Sequence, residues 1–344
     1  MKPTVGEKIF CRGNPRECGR QYGEQAAEAI HTGVEYSAYR QNLSSRFDRF
    51  IAYAEQSLRT FAPEVLDELT GIAEGANVEL AALLFLNVWD AFDDEQPRCT
   101  PVMLQDSDHG PVVAKNNDGP EHERFRTPFI FRQVEPDHGL PFLQVTYAGW
   151  LSGLDMINCE GLANTHGSVG SRFPRGGNRL DIRLRIYQLM QQCRTTSEFL
   201  SQLDQIPLTG KGFSILVGDK NGQNALIDAA VPNIVCSGKN LSFAFSTNLY
   251  TAPELAGRDN RTPAGRLHNQ GRREFLQGFF ACHKLTRVVE LQQLLRMHGE
   301  FAPCRHVPLC PSSTFWSMIC LPAERKLLIA PGAPCETEYS VFEI

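Results

Sequence analysis

Gln96-Pro97-Arg98-Cys99-Thr100-Pro101 opens, and Lys115-Asn116-Asn117-Asp118 closes, the stretch on which the reading of this chain turns. Between them Thr100 to Gln105 is strand-forming, Asp106-Ser107-Asp108-His109-Gly110 is a dense turn signal, and Pro111 to Lys115 runs apolar again. The stretch therefore predicts an antiparallel hairpin. With the turn centred near residue 108, opposed positions sum to about 216 or 217, which puts Asn117 or Asp118 across from Cys99. A thiol and a carboxylate are then expected together at the open end of the hairpin, as a nucleophile and its support. The same pairing also describes a buried strand cysteine beside a turn-capping aspartate, and residues farther along the chain have to decide.

Upstream of the hairpin, Arg20 to about Glu95 has a helical texture. Gly19 to His31, Arg46 to Phe61, Pro63 to Gly75 and Leu80 to Asp90 carry apolar residues at three- and four-residue spacing, punctuated by Pro63, Gly71 and Gly75. The segment 91–98 is polar, acidic and proline-bearing, which reads as an exposed linker where a cut could be made. Downstream the chain changes to short strands. Phe213 to Gly218 and Asn224 to Ala230 flank the turn Asp219-Lys220-Asn221-Gly222 as a second hairpin. One helix is expected from about Leu180 to Cys193, extended by the capping-box spacing of Thr195-Thr196-Ser197-Glu198, and another from Thr286 to His298. Thr314 to Ile344 returns to strands around the turn Pro331-Gly332-Ala333-Pro334. The chain thus divides into a helical block, 1–98, and a strand-rich block, 99–344, and the pattern of elements alone gives an α+β class.

The 344 residues carry a net charge of −5 and no long basic run, so nucleic acid is not an expected partner. Neither an apolar signal-peptide core nor about 18 uninterrupted apolar residues is found, so no membrane association and a cytoplasmic location are expected. Eleven scattered cysteines without a Cys-x-x-Cys pair indicate neither a disulfide framework nor a zinc ribbon. The nearest approach to a metal cluster is Cys304-Arg305-His306 with Cys310, and Cys282-His283 upstream. Its spacing matches no common zinc knuckle, and no metal is expected. For a papain-like Cys/His pair, His109, His166 and His268 are candidate bases, and no local signature selects one of them.

Read as Cys-Thr, strand, turn, strand and Asn-x-Asp, residues 99 to 118 resemble the start of the mature catalytic chain in the penicillin acyltransferase (acyl-coenzyme A:6-aminopenicillanic acid acyltransferase) and choloylglycine hydrolase group of N-terminal-nucleophile hydrolases. Thr247-Asn248, after the apolar Leu241 to Phe245, is similar to the segment bearing that group's oxyanion Asn. Thr262-Pro263-Ala264-Gly265-Arg266-Leu267 is similar to the run bearing its active-site Arg. Met156-Ile157-Asn158-Cys159-Glu160-Gly161-Leu162-Ala163 resembles its Asn-x-x-Gly-Leu-Ala segment, and Arg12-Gly13 through Gly23 its early turn into a helix. The shared order and spacing run from residue 99 to the C-terminus; residues 1–98 match loosely. Three departures stand out. Arg98 replaces the Gly that many acyltransferase-type members have before the nucleophile, and Lys115 replaces the Arg of bile-salt hydrolases, keeping charge without the planar fork. Where relatives have a second oxyanion Asn, this chain has His166-Gly167-Ser168.

The resemblance implies a four-layer αββα sandwich of the N-terminal-nucleophile hydrolase type. It also implies self-cleavage between Arg98 and Cys99, with a helical 1–98 fragment staying packed on the 99–344 catalytic chain. A chain starting at Cys99 has an α-amine, with an ordinary pKa of about 7.7 to 8.0, to serve as base for its own thiol, whose ordinary pKa is about 8.5. In this scheme Asp118 holds the amine, Asn248 donates to the oxyanion, Arg266 supports Cys99 electrostatically, and Lys115 and Asn158 lend substrate or oxyanion support. The implied activity is hydrolysis of a linear amide of a small N-acyl compound, or acyl transfer from it, through a Cys99 thioester. No cofactor is needed, acyl-coenzyme A entering only as a co-substrate of the transferase version. The competing readings are an uncleaved, catalytically silent binding protein of the same fold, and a His-assisted cysteine protease.

Overall fold

Residues 8–41, 47–88 and 99–344 are described in the computed structural model of the chain, so Arg98 and the rest of the expected linker fall outside them. The first block begins with a strand the sequence did not announce, β1 (Lys8–Gly13), followed by five helices: α1 (Pro15–Gln25), α2 (Ala27–Gln41), α3 (Phe47–Phe61), α4 (Pro63–Ala76) and α5 (Leu80–Val88). Asn14 starts α1 through a capping box with Glu17, and Pro15 occupies the first helical position. The expected helix from Gly19 to His31 is two helices divided at Ala26.

Gly71 and Gly75 do not punctuate α4, which runs through both. They and Gly19 and Gly23 of α1 form the contact between the two helices. A Cβ built on Gly19 would lie 2.0 Å from the Glu68 carbonyl oxygen, and one on Gly71 2.2 Å from that of Arg16. Only backbone hydrogen fits between these helices.

The second block runs β2 (Thr100–Leu104), β3 (Val112–Gly119), β4 (Phe129–Pro136), β5 (Phe142–Tyr147), β6 (Met156–Asn158), β7 (Leu162–Ser168), β8 (Leu180–Asp181), α6 (Ile182–Gln192), α7 (Thr196–Gln202), β9 (Leu208–Thr209), β10 (Phe213–Asp219), β11 (Asn224–Ala230), β12 (Asn233–Lys239) and β13 (Phe243–Phe245). It ends with α8 (Pro263–Cys282), α9 (Val288–Arg296), β14 (Ser313–Leu321), β15 (Lys326–Ala330) and β16 (Ser340–Glu343). Thr195 caps a new helix instead of extending α6, its hydroxyl accepting from the Glu198 amide while the Glu198 carboxylate accepts from the Arg194 amide, because Cys193 turns extended. No sequence pattern announced α8 as an element, although Thr262 caps it and Pro263 sits at its first position.

The strands form an eight-stranded sheet, β1-β4-β5-β6-β7-β10-β11-β12, a six-stranded sheet, β13-β2-β3-β14-β15-β16, and the small pair β8-β9. Three apolar clusters define the layers. One lies between helices α1 to α7 and the larger sheet, one between the two sheets, and one between the smaller sheet and α8 with α9. The molecule is an α+β, four-layer αββα sandwich. Strand alternation decides what faces each gap. In β2 and β3, Met103 and Val113 enter the inter-sheet cluster, while Val102, Leu104, Val112 and Ala114 enter the cluster under α8 and α9. The same parity turns Cys99, Lys115 and Asn117 into the gap between the sheets. Asn116 and Asp118 face the helices on the other side, a division that a register slip of one residue would invert.

Candidate active site

The hairpin is built as its sequence reads. Thr100 pairs with Asn116 and Leu104 with Val112, so opposed numbers sum to 216 and Cys99 stands across from Asn117. The Cys99 thiol is buried and lies 3.5 Å from Asn117 Oδ1 and 4.0 Å from the backbone oxygen of Asp118. Asn117 is held in turn by donating to the Tyr147 hydroxyl at 3.0 Å. The direct thiol–carboxylate contact expected from the hairpin is not what forms. Because its parity is opposite, the Asp118 side chain is on the helix side of β3, where it accepts from the Thr314 hydroxyl at 2.7 Å. A bulge at Phe315 in β14 makes this fit: Thr314 pairs with Asp118, Trp316 pairs with Asn117, and both aromatic rings remain in the inter-sheet cluster.

Burial pushes Asp118 up to about 7, against the downward pull of Arg305, Arg272, the Thr314 hydrogen bond and Lys115. Its Oδ2 has no hydrogen-bond partner among the described residues. Burial likewise raises the Cys99 thiol. Lys115 pulls it down, and Asp118 and Asp155 add to the rise.

Arg272 is the hub of the site. From α8 it donates to the Cys99 carbonyl oxygen at 2.8 Å, to the Thr100 hydroxyl at 2.5 Å and to Asn248 Oδ1 at 2.8 Å. Asn248 is fully buried in a left-handed conformation, φ 63°, after β13, and gives one amide hydrogen to the Ser168 carbonyl at 2.8 Å. Its second amide hydrogen has no acceptor among the described residues. Cys99 and Asn248 are thus joined through a single guanidinium. Arg266 is placed elsewhere: its side chain is 44% exposed and pairs with Asp259 at 2.9 Å. Six residues along α8 rotate by about 240°, so Arg266 and Arg272 point from different faces of the helix.

Lys115 is fully buried behind the thiol. Its ammonium bonds Asp155 Oδ2 at 2.8 Å, lies 3.3 Å from His166 Nδ1, and sits 5.2 Å from the centre of the Trp316 ring. Burial would raise Asp155, but Lys115 and His166 hold it well below the usual carboxylate range; burial and Lys115 push His166 down, toward the neutral imidazole. Asn158 belongs to none of this. It gives both amide hydrogens to Met190 and Cys193 carbonyls and takes the amides of Glu160 and Leu162 on its oxygen, anchoring the β6–β7 turn to α6. Of the three histidine candidates, His166 lines the cleft with Cys99, while His109 pairs with Glu324 and His268 lies beside Arg305.

The cleft at Cys99 is walled by Tyr147, Trp150, Leu154, Phe213 and Trp316, with Asp155, His166 and Ser168 at its polar side. Arg272, Thr314, Tyr147 and Asp155 carried no local signal in the sequence. A single Arg or Asp is distinguished only by the face of the element it occupies.

No family model and no curated protein matches the chain. Among solved structures, two mutant forms of conjugated bile acid hydrolase from Clostridium perfringens align over 72% of this chain and 97% of theirs, at 12% and 13% identity and TM-scores of 0.43. A Caenorhabditis elegans ortholog of N-acylethanolamine-hydrolyzing acid amidase aligns over 72% of this chain and 100% of its own, at 13% identity and a TM-score of 0.39. At these scores the likeness carries no weight for the reaction, and the fold stands on the sheets and clusters described above. Among the described residues no helix is long and apolar enough to cross a membrane.

Proposed function

We propose that the chain is a cysteine amidohydrolase or acyltransferase activated by cleavage between Arg98 and Cys99. Asp118 is the observation that supports this reading. It is a fully buried carboxyl with one oxygen unpartnered among the described residues, and burial raises it to about 7 against the pull of Arg305, Arg272 and Lys115. Cleavage before Cys99 creates an ammonium on the residue that stands one position from Asp118 across the hairpin.

Cleavage follows from the thiol's own chemistry. The Cys99 sulfur attacks the Arg98 carbonyl carbon, the C–N bond breaks as the C–S bond forms, and the thiol proton ends on the freed amine. Water then hydrolyses the thioester, leaving the Arg98 carboxylate and restoring the thiol. In the mature chain the amine takes the thiol proton, the thiolate attacks a substrate amide, and the amine returns the proton to the leaving nitrogen. Water releases the acyl group in a hydrolase, an amine in a transferase. An intact chain cannot use this base, and its buried thiol, pushed upward, is protonated at neutral pH. Asn248 has an amide hydrogen available for the developing oxyanion, and Arg272 holds the Cys99 carbonyl and Asn248 in register. The aromatic wall of the cleft suits an N-acyl amine or N-acyl amino acid with an apolar acyl group.

A second reading rests on His166, which shares the cleft with Cys99 and is held by Asp155. Mass spectrometry of the purified protein tests the first reading. Fragments 1–98 and 99–344 are expected, with Cys99→Ala giving one intact, inactive chain. Intact wild-type chain that hydrolyses no N-acyl amide refutes it in favour of a silent binding protein. Activity from the intact chain that disappears in His166→Ala refutes it in favour of the Cys/His pair.

A further inference from the structure

Away from the cleft, four side chains from separate parts of the sequence converge: His298 just after α9, Cys304 and His306 in the loop before β14, and Cys335 between β15 and β16. Each offers one ligand atom, and the four atoms all lie within 4.8 Å of one another. His306 Nε2 is 3.1 Å from Cys335 Sγ and 3.5 Å from Cys304 Sγ, and the two sulfurs are 3.5 Å apart. The rings of His298 and His306 stack with centroids 5.0 Å apart. Zinc bonds of about 2.3 Å to sulfur and about 2.0 to 2.1 Å to nitrogen put neighbouring corners of a tetrahedron roughly 3.3 to 3.8 Å apart. The three separations among Cys304, His306 and Cys335 sit at that spacing or a few tenths of an ångström inside it, and His298 completes the set within 4.8 Å.

We propose that His298, Cys304, His306 and Cys335 bind one structural zinc ion. Two thiolates and two neutral imidazoles match the preference of zinc for sulfur and nitrogen, and four protein ligands leave no open position for a substrate or water. Binding releases two thiol protons to solvent, so the two sulfur charges balance the dication. Glu336 supports the assignment from outside the cluster. Its Oε1 lies 3.7 Å from His306 Nδ1, on the side of the ring away from the sulfurs, where a carboxylate orients a zinc-bound imidazole. A Cys304–Cys335 disulfide would instead need a bond of about 2.05 Å and would leave the two imidazoles without a purpose. Cys310 and Cys282-His283, grouped with Cys304 and His306 on sequence, are not members.

The ion would fasten the connection between β15 and β16 to the loop that carries Arg305. That residue, between two ligands, is fully buried, and its backbone exchanges hydrogen bonds with Thr314: N–H to the hydroxyl at 3.0 Å and C=O from the amide at 3.0 Å. Thr314 is the residue that donates to Asp118. The clamp therefore secures the far side of the hairpin end without touching the cleft.

Metal analysis of the purified full-length protein should find about one zinc per chain. After chelation, titration of the apo-protein with Co²⁺ alone should give the thiolate charge-transfer and tetrahedral ligand-field bands, and zinc should restore the melting temperature that chelation lowers. The double variant His298→Ala/Cys335→Ser alters two exposed positions and should lose the zinc and the cobalt spectrum. Cys236→Ser and Cys282→Ser, exposed cysteines outside the cluster, should keep both. Wild-type protein that shows no tetrahedral cobalt spectrum at saturating Co²⁺ overturns the proposal, whatever the variants do. So do unchanged zinc in the double variant, and a metal-free wild-type chain lighter by two hydrogens with Cys304 linked to Cys335.

Discussion

At the scale of single residues, the structure separates Arg266, which the resemblance selects, from Arg272, which it passes over. Arg272 reaches the Cys99 carbonyl and Asn248, whereas Arg266 reaches Asp259 at the surface. Arg272→Met should slow both processing and turnover by about 100-fold or more, because the carbonyl of the nucleophile and the amide of Asn248 lose their common anchor. Arg266→Met should change turnover by less than about twofold, since an exposed ion pair contributes little. Equal effects in steady-state assays would return the role to Arg266. Asp118 gives a pH test. Its folded pKa, about 7, is above the ordinary 3.8, so the folded, uncleaved chain holds a proton that the unfolded chain releases. The associated stability is fully present below about pH 4 and is lost as pH rises through about 7. In a Cys99→Ala background, where no amine is freed, Asp118→Asn should therefore change urea stability little near pH 4 and raise it near pH 8, by up to on the order of 4 kcal/mol. A parallel pair of pH profiles would show that Asp118 is not the group that titrates.

Elements show which parts of the fold could be read in advance. The hairpin was legible because turn residues fix its centre and a period of two fixes its faces, which together gave the partner of Cys99 to within one residue. What that reading lacked was the consequence of parity, which sends Asp118 to the face opposite the thiol. The sandwich itself came through resemblance, since α+β is as far as alternating textures reach. β1 stayed hidden because six residues with mixed burial have no period of their own and are strand only by pairing with β4. His298 and Cys335 stand 37 residues apart, a separation that no local spacing rule can recognise as one cluster. The glycines of α1 and α4 were read as breaks because sequence shows the missing side chain but not what occupies its place. Gly71→Ala, with its Cβ 2.2 Å from the Arg16 carbonyl oxygen, must push two backbones apart. It should cost about 1 to 3 kcal/mol in denaturant unfolding, although alanine is the better helix former. A stabilised or unchanged variant would show that the helices separate freely.

Across the whole molecule, the helical block and the strand-rich block are one packed unit, and this decides what cleavage would do. β1 pairs with β4 in parallel along six residues, so Lys8–Gly13 form an edge strand of the larger sheet. Beneath it, Arg132 of β4 is fully buried and bonds Glu68 of α4 at 2.6 Å; Tyr187 of α6 donates to the same carboxylate at 2.8 and 2.9 Å, and the Tyr22 ring of α1 lies 4.2 Å from the guanidinium. Each charge is paired only while both blocks are present. If the chain is cut at Arg98–Cys99, the two pieces should run separately on a denaturing gel yet co-elute on native size exclusion, because departure of the first piece would strand Arg132 in the apolar interior. Glu68→Ala removes that tie while leaving β1 and the helix contacts intact. Loss of one partner of such a buried pair costs about 3 to 5 kcal/mol. The processed variant should accordingly release its 1–98 piece at a lower urea concentration than the processed wild type. A wild-type 99–344 chain that elutes alone and still turns over substrate would mean that the sandwich is held by its second block, with the first acting only up to the moment of cleavage.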